Sequence, residues 1–147
     1  MNKIFEKLTN QLTETIDSSV ALALHNKNQE VEVIHLLWAL LSNTNSVLNQ
    51  LLNKMNVNKV AVELEAKSYA SKLPSVSSVT KESIKLSRNL LSSLQSAEGL
   101  MASFGDKFIA VDTWLISNLD SSVIKDVLGK YVDLKEAKKE LEAMRAG

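Results

Sequence analysis

The sequence contains no cysteine, one proline and four glycines in 147 residues. Without cysteine there is no disulfide, no thiolate zinc site and no iron–sulfur cluster, and the chain suits a reducing cytosol. So little proline and glycine disfavours a turn-rich β sandwich and fits long uninterrupted elements. An excess of either charge is also missing, because 17 basic side chains balance 17 acidic ones. Tracking phosphates needs a basic surplus, so nucleic acid is not an expected partner, and neither is an anionic membrane surface. Long apolar runs are absent. The longest nearly apolar stretch, residues 33–41, is interrupted by His35 and is about half of what a bilayer span needs. The opening residues, MNKIFEK, lack the apolar segment of a secretory signal. The expectation is a soluble, cytoplasmic chain.

Hydrophobic residues make up 45% of the sequence, enough for a core at this length. Their spacing is helical. Leu12, Ile16, Val20 and Leu24 recur at i+4 behind Thr9, a residue suited to an N-cap. Residues 34–41 are apolar almost all round, which predicts a short buried helix. Val47, Leu48, Leu51, Leu52 and Met55 form a third stripe. Asn58 reads as the next N-cap, with Val57 and Val62 at hydrophobic-staple spacing, and this helix runs to about Lys72. Pro74 lies in a Ser-rich linker. Beyond it Thr80 reads as a cap, and Ile84, Leu90, Leu94, Ala97 and Met101 line a long helix that ends near Gly105. A short helix over residues 112–119 follows, then one after Ser122. A last helix begins at Asp133, where Glu136 completes a capping-box pattern.

The two halves repeat. At an offset of 78 positions Leu12 meets Leu90, Ile16 meets Leu94, Leu22 meets Leu100, Val31 meets Ile109, Val33 meets Val111, Leu37 meets Leu115 and Leu41 meets Leu119. The offset falls to 76 at Val47 and Val123, and 77 aligns residues 64–66 with residues 141–143. A fixed-period match over nearly the whole chain signals duplicated helical units that share one core. The fold expected is all-α. It has two four-helix repeats, about residues 3–73 and 81–146, joined by a linker at about 74–80 and packed with pseudo-twofold symmetry into one domain spanning residues 1–147.

Chemistry-bearing motifs are few. The phosphate-loop pattern G-x-x-x-x-G-K-[ST] does not occur, so no nucleotide cofactor is expected in this chain. His25 and His35 are too few for a metal site without cysteine or an H-E-x-x-H pair. His35 reads as a packed, hydrogen-bonded structural histidine. No G-x-S-x-G elbow accompanies the many serines, so no catalytic residue is assigned. Glu136, Lys138, Lys139, Glu140 and Glu142 read as a solvated helix face, or alternatively as a docking surface. The apolar residues Leu90, Leu91, Leu100, Met101 and Phe104, with Phe108 nearby, exceed what one helix can turn to one side. Either some of Leu91, Leu94, Leu100, Met101 and Phe104 line a surface groove beside the first helix that takes apolar polypeptide weakly, or the packing of the two repeats buries them all.

Residues 28–41, NQEVEVIHLLWALL, and residues 97–112, AEGLMASFGDKFIAVD, resemble the two signatures of the Clp repeat found at the N-terminus of Clp/HSP100 unfoldases. Val33 stands where that family usually has proline. Thr113, Ser117 and Asn118 make the second copy more polar than usual. The opening Leu8-Thr9-Asn10 and the closing residues 143–147 are closer to the ClpB branch than to ClpA or ClpC. The resemblance implies an N-terminal substrate- or partner-binding domain of an ATP-dependent disaggregase, monomeric in isolation. It implies that a hexameric AAA+ ring using ATP and Mg follows Gly147, and that the DnaK system and unfolded or aggregated polypeptides are partners. Thr9, Asp106 and Asp112 match polar positions kept near the family's polypeptide-handling surface, although each also has an ordinary capping role. The alternative is docking of a dedicated adaptor, as in protease-associated ClpA or ClpC unfoldases.

Overall fold

A computed structural model describes residues 3–146. Met1, Asn2 and Gly147, which belong to the opening and closing stretches above, lie outside the described residues. A 3-10 turn, Lys3–Lys7, leads into α1 (Asn10–His25). A two-residue strand β1 (Glu30–Val31), α2 (Val33–Ser42), α3 (Val47–Lys54) and α4 (Lys59–Ser71) complete the first unit. Strand β2 (Lys85–Leu86), α5 (Arg88–Phe104), α6 (Val111–Asn118), α7 (Ser122–Val127) and α8 (Leu134–Ala146) form the second. Helix α2 is buried from Val33 to Leu41 and sits at the centre, against α1, α3, α4, α5 and α7. That burial explains its near-continuous apolar composition.

Local chemistry sets the boundaries. Thr9 Oγ1 accepts from the Leu12 N–H at 3.2 Å, and Asn58 Oδ1 from the Val60 N–H at 3.0 Å, both as their sequence positions predict. Asp133 Oδ1 accepts from the N–H groups of Lys135 and Glu136, while Glu136 itself lies 3.6 Å from Lys139. Thr80 is not a helix cap. It closes a local turn with Ser83, and the Ile84 N–H returns to the Thr80 carbonyl at 2.9 Å, so the turn ends where β2 begins. The true cap of α5 is Ser87, whose Oγ accepts from the Leu90 N–H at 3.0 Å. Ser87 is Thr9 displaced by 78, so the repeat itself marked the position.

The same offset organises the backbone between the units. Leu8 bridges Ile109 in parallel, and β1 pairs β2 in parallel with Val31 opposite Leu86. Leu86 is the twin of Leu8, and Ile109 the twin of Val31. Each unit therefore lends its lead-in segment to the lead-in of the other unit's second helix. The first-helix ends are also twins. The N–H groups of Lys27 and Asn28 return to the carbonyls of Leu24 and Ala23, and those of Gly105 and Asp106 to Ala102 and Met101. Both turns put their third member in the left-handed region, Lys27 at φ 58° and Gly105 at φ 75°.

Candidate functional site

The loop from Gly105 to Ala110 joins α5 to α6 beside the start of α1. Its anchor is the Leu8–Ile109 bridge. The Thr9 N–H donates to the Ile109 carbonyl at 3.0 Å, and the Ile109 N–H to the Lys7 carbonyl at 2.6 Å. Thr9, with its side chain committed to capping α1, thus sits against the residues that precede Asp112. Asp112 is not an N-cap, because Ala110 occupies that position. It lies at the second helical position, where its negative charge suits the positive end of α6, and Oδ1 accepts from the N–H of Thr113 at 2.8 Å. Asp106 follows the left-handed Gly105 and pairs with Arg145 at 2.9 Å. The Arg145 guanidinium lies 4.0 Å from the centre of the Phe104 ring. The three polar candidates therefore lie at the start of α1, in the loop and in the first turn of α6, and each has a partner within the chain.

The two leucines separate. Leu94 belongs to the buried stripe Leu90, Leu94, Ala97 and Met101 and is 0% exposed, so it cannot present itself to a ligand. The expectation that it lines a groove is corrected, since the i, i+4, i+7, i+11 spacing turns it into the core. Leu91 is half-buried. It lies two turns from Glu98 on one face of α5, and Glu98 pairs with Lys7 of the 3-10 turn. Leu100, nine positions from Leu91, points to the opposite side of the helix, into a separate groove against α6.

Two further residues join this edge. Phe5 is 41% exposed and Phe108 is 53% exposed, on the segments that flank the Leu8–Ile109 bridge. At the pseudo-twofold-related edge their twins are Ser83 and Glu30. The apolar character thus belongs to one of two otherwise equivalent edges. Helical periodicity could not reveal Phe5, which sits in a 3-10 turn, but comparison of the two copies at the 78-residue offset would have.

His35 is structural. Its Nδ1 accepts from the Glu32 N–H at 2.8 Å, closing a capping box, and its Nε2 lies 2.8 Å from Asn28 Oδ1. That oxygen accepts also from Asn26 Nδ2, so the imidazole is neutral with its proton on Nε2. Burial pushes its pKa down to about 4. Among the described residues no group of three His, Cys, Asp or Glu side chains is arranged to hold a metal ion. None of their helices is long and apolar enough to cross a membrane.

A family model for the Clp repeat N-terminal domain matches residues 7–131. The chain belongs to the Clp N-terminal domain family. The chaperone protein ClpB of Wolinella succinogenes is 55% identical over 143 residues, which is 97% of this chain and 17% of that protein. The chain thus spans about a sixth of that relative's length, and the likeness is to its ClpB N-terminal region. In fold it is similar to the Hsp104 N-terminal domain of Candida albicans, with a TM-score of 0.84, 21% identity and coverage of 95% of this chain and 91% of the other. A ClpV N-domain in complex with a VipB peptide is also similar, with a TM-score of 0.70, 18% identity and coverage of 93% and 86%. The fold and the HSP100 affiliation expected from the repeat signatures agree with these likenesses, and in sequence the chain is similar to the N-terminal region of ClpB chaperones.

Proposed function

We propose that this domain receives unfolded or aggregated polypeptide for a ClpB-type disaggregase, at the edge formed by Phe5, Thr9, Leu91, Phe108, the loop residue Asp106 and Asp112 in the first turn of α6. The observation that carries the reading is the exposure of Phe5 and Phe108 where the twin edge has Ser83 and Glu30. Two exposed aromatic rings offer a large apolar area with modest entropy loss on binding. A site of only two rings, without a deep pocket, is weak and promiscuous. Six linked copies on a ring would raise its effective concentration enough for it to be useful. The N-domain of ClpV, which shares this fold, takes a VipB peptide, and that supports a polypeptide as the ligand class.

On this reading an AAA+ ring supplies ATP hydrolysis with Mg, the DnaK system delivers substrate in the cytoplasm, and the isolated domain is monomeric. This chain's own residues carry no step of the ATP chemistry.

The test is a titration of the 147-residue protein with a permanently unfolded polypeptide, followed by amide NMR. Shifts are expected around residues 5–9, 91 and 106–112. Phe5→Ser with Phe108→Glu installs the residues of the twin edge, so the fold should tolerate it. Loss of the shifts in this variant is the expected result. Binding retained by it, or shifts confined elsewhere, removes the reading.

A further inference from the structure

The outer faces of the two first helices form twin grooves against the second helices. One is lined by Ser18, Ala21, Leu22, His25, Ala39 and Ser42, with Asn43. The other is lined by the residues 78 positions on from the first six: Ser96, Gly99, Leu100, Ser103, Ser117 and Asp120. The grooves have diverged. The first is an open groove of about 550 Å³ and carries no carboxylate or lysine. The second is an open groove of about 770 Å³, with α8 and α7 adding walls to it.

Three features of the second groove point to an occupant. Its floor is apolar, built from Leu100, Ile116, Leu119 and Leu134. Its wall contains Gly99 in the middle of a 17-residue helix, where glycine costs about 1 kcal/mol relative to the alanine at the twin position. No atom lies within 4 Å of where a Cβ would stand at Gly99, so the domain's own packing does not require glycine. What glycine leaves is room for another backbone to come close. Finally, Lys125, Lys135 and Lys138 border the groove together with Asp120 and Glu142, and none of the five is in an ion pair of the described residues. The border is left with an excess of one positive charge.

The groove runs between helices and is lined by side chains, with β1 and β2 elsewhere, so strand addition is not available to a ligand there. A helix laid along a side-chain groove is the mode that fits. We infer that the groove between α5, α6 and α8 seats an amphipathic helix of a partner polypeptide, with leucine-type anchors on the floor and acidic residues facing Lys125, Lys135 and Lys138. This site is on the side of α5 opposite Leu91 and does not rest on the reading above.

The probe is a synthetic amphipathic peptide with leucines at helical spacing flanked by glutamates, titrated into the 147-residue protein. Amide shifts are expected at Gly99, Leu119 and Lys138. Affinity should fall about ten-fold when the glutamates become glutamines, and by a similar factor at high salt. Gly99→Leu fills open space with a better helix former, so it should leave the melting temperature unchanged or higher while removing binding. Lys125→Glu, Lys135→Glu and Lys138→Glu together alter only exposed side chains and should reverse the preference towards a lysine-flanked peptide. The inference is overturned by unchanged affinity in Gly99→Leu, by equal binding of the glutamine peptide, or by shifts confined to Phe5 and Phe108. It is also overturned if these amides shift with protein concentration alone, since a second copy would then be the occupant.

Discussion

The N–H of Thr9 donates to the carbonyl of Ile109 at 3.0 Å, and its image under the repeat, Ser87 to Val31, is 2.9 Å. Donor and acceptor belong to different repeats in both cases. Each first helix is therefore held at its start by the other unit, and the two units should unfold together. Thr9→Ala and Ser87→Ala each remove a side-chain cap while leaving the backbone bond in place. Each should cost about 1 kcal/mol, or about 4 °C in melting temperature, in a single transition. Circular dichroism melts check this. Two resolved transitions in either variant would show that the halves are separable.

Lys27 and Gly105 occupy the same place in the two copies, and only one of them is suited to it. Lys27 has a φ of 58° in a conformation that crowds Cβ against the following carbonyl. Lys27→Gly relieves this and should stabilise the domain by about 1 kcal/mol. Gly105→Lys should destabilise by a similar amount, although no atom within 4 Å obstructs a Cβ there. Urea unfolding of the two variants measures both signs. Equal effects in the same direction would contradict the strain argument.

Most of the helices were legible because their stripes are long and their caps are polar side chains at fixed positions. Thr9, Asn58 and Asp133 accept the expected N–H groups. The failures have local causes. Thr80 and Ser83 satisfy one another in a turn, which imitates a cap in sequence, while Ser87 is followed by Arg88 and Asn89, with no apolar residue to announce a helix until Leu90. The strands β1 and β2 are two residues each, too short for any alternation to register. The candidate site was only half legible. Its polar members were suggested by family resemblance, but Phe5 lies in a 3-10 turn where the 3.6-residue period does not apply.

Leu91 and Leu94 illustrate the same limit, since three positions separate an edge residue from a core residue. Leu94→Ala should cost about 2–5 kcal/mol, because its side chain is wholly enclosed and its removal leaves a cavity. Leu91→Ala should cost well under that, and it should weaken binding of unfolded polypeptide at the proposed edge. Denaturant titration of the two variants decides the matter, and similar losses would contradict the packing described.

His35 makes stability depend on pH. Its folded pKa is about 4, against an ordinary value of 6.5, so between these values the unfolded chain binds a proton that the folded chain does not. Stability is therefore complete above pH 6.5, falls as pH drops, and stops changing from this cause below pH 4. The total is about 3 kcal/mol, of which about 2 kcal/mol is lost by pH 5, before most carboxylates titrate. His35→Thr installs the residue found at the twin position, Thr113, and should flatten the profile between pH 7 and 5. Urea unfolding across that range is the measurement. A wild-type free energy that does not change between pH 7 and 5 rules the account out.

Asp106 and Arg145 fasten the end of α8 to the loop that carries Phe108, and Phe104 supports the guanidinium from below. The pair is partly exposed, with side chains 33% and 25% accessible, so its contribution to global stability should be under about 1 kcal/mol. Its local effect should be larger, because a helix terminus is the part of a domain that opens most easily. Arg145→Ala should accelerate hydrogen exchange of the last turn of α8 while leaving the melting temperature within about 3 °C. Asp106→Ala removes the same ion pair and should release the same amides. It also changes the loop at the proposed binding edge, so it alone should alter the response of residues 106–112 to unfolded polypeptide. If both variants weaken that binding equally, Asp106 acts only by holding Arg145. If neither accelerates exchange in α8, the ion pair does not fasten the helix end.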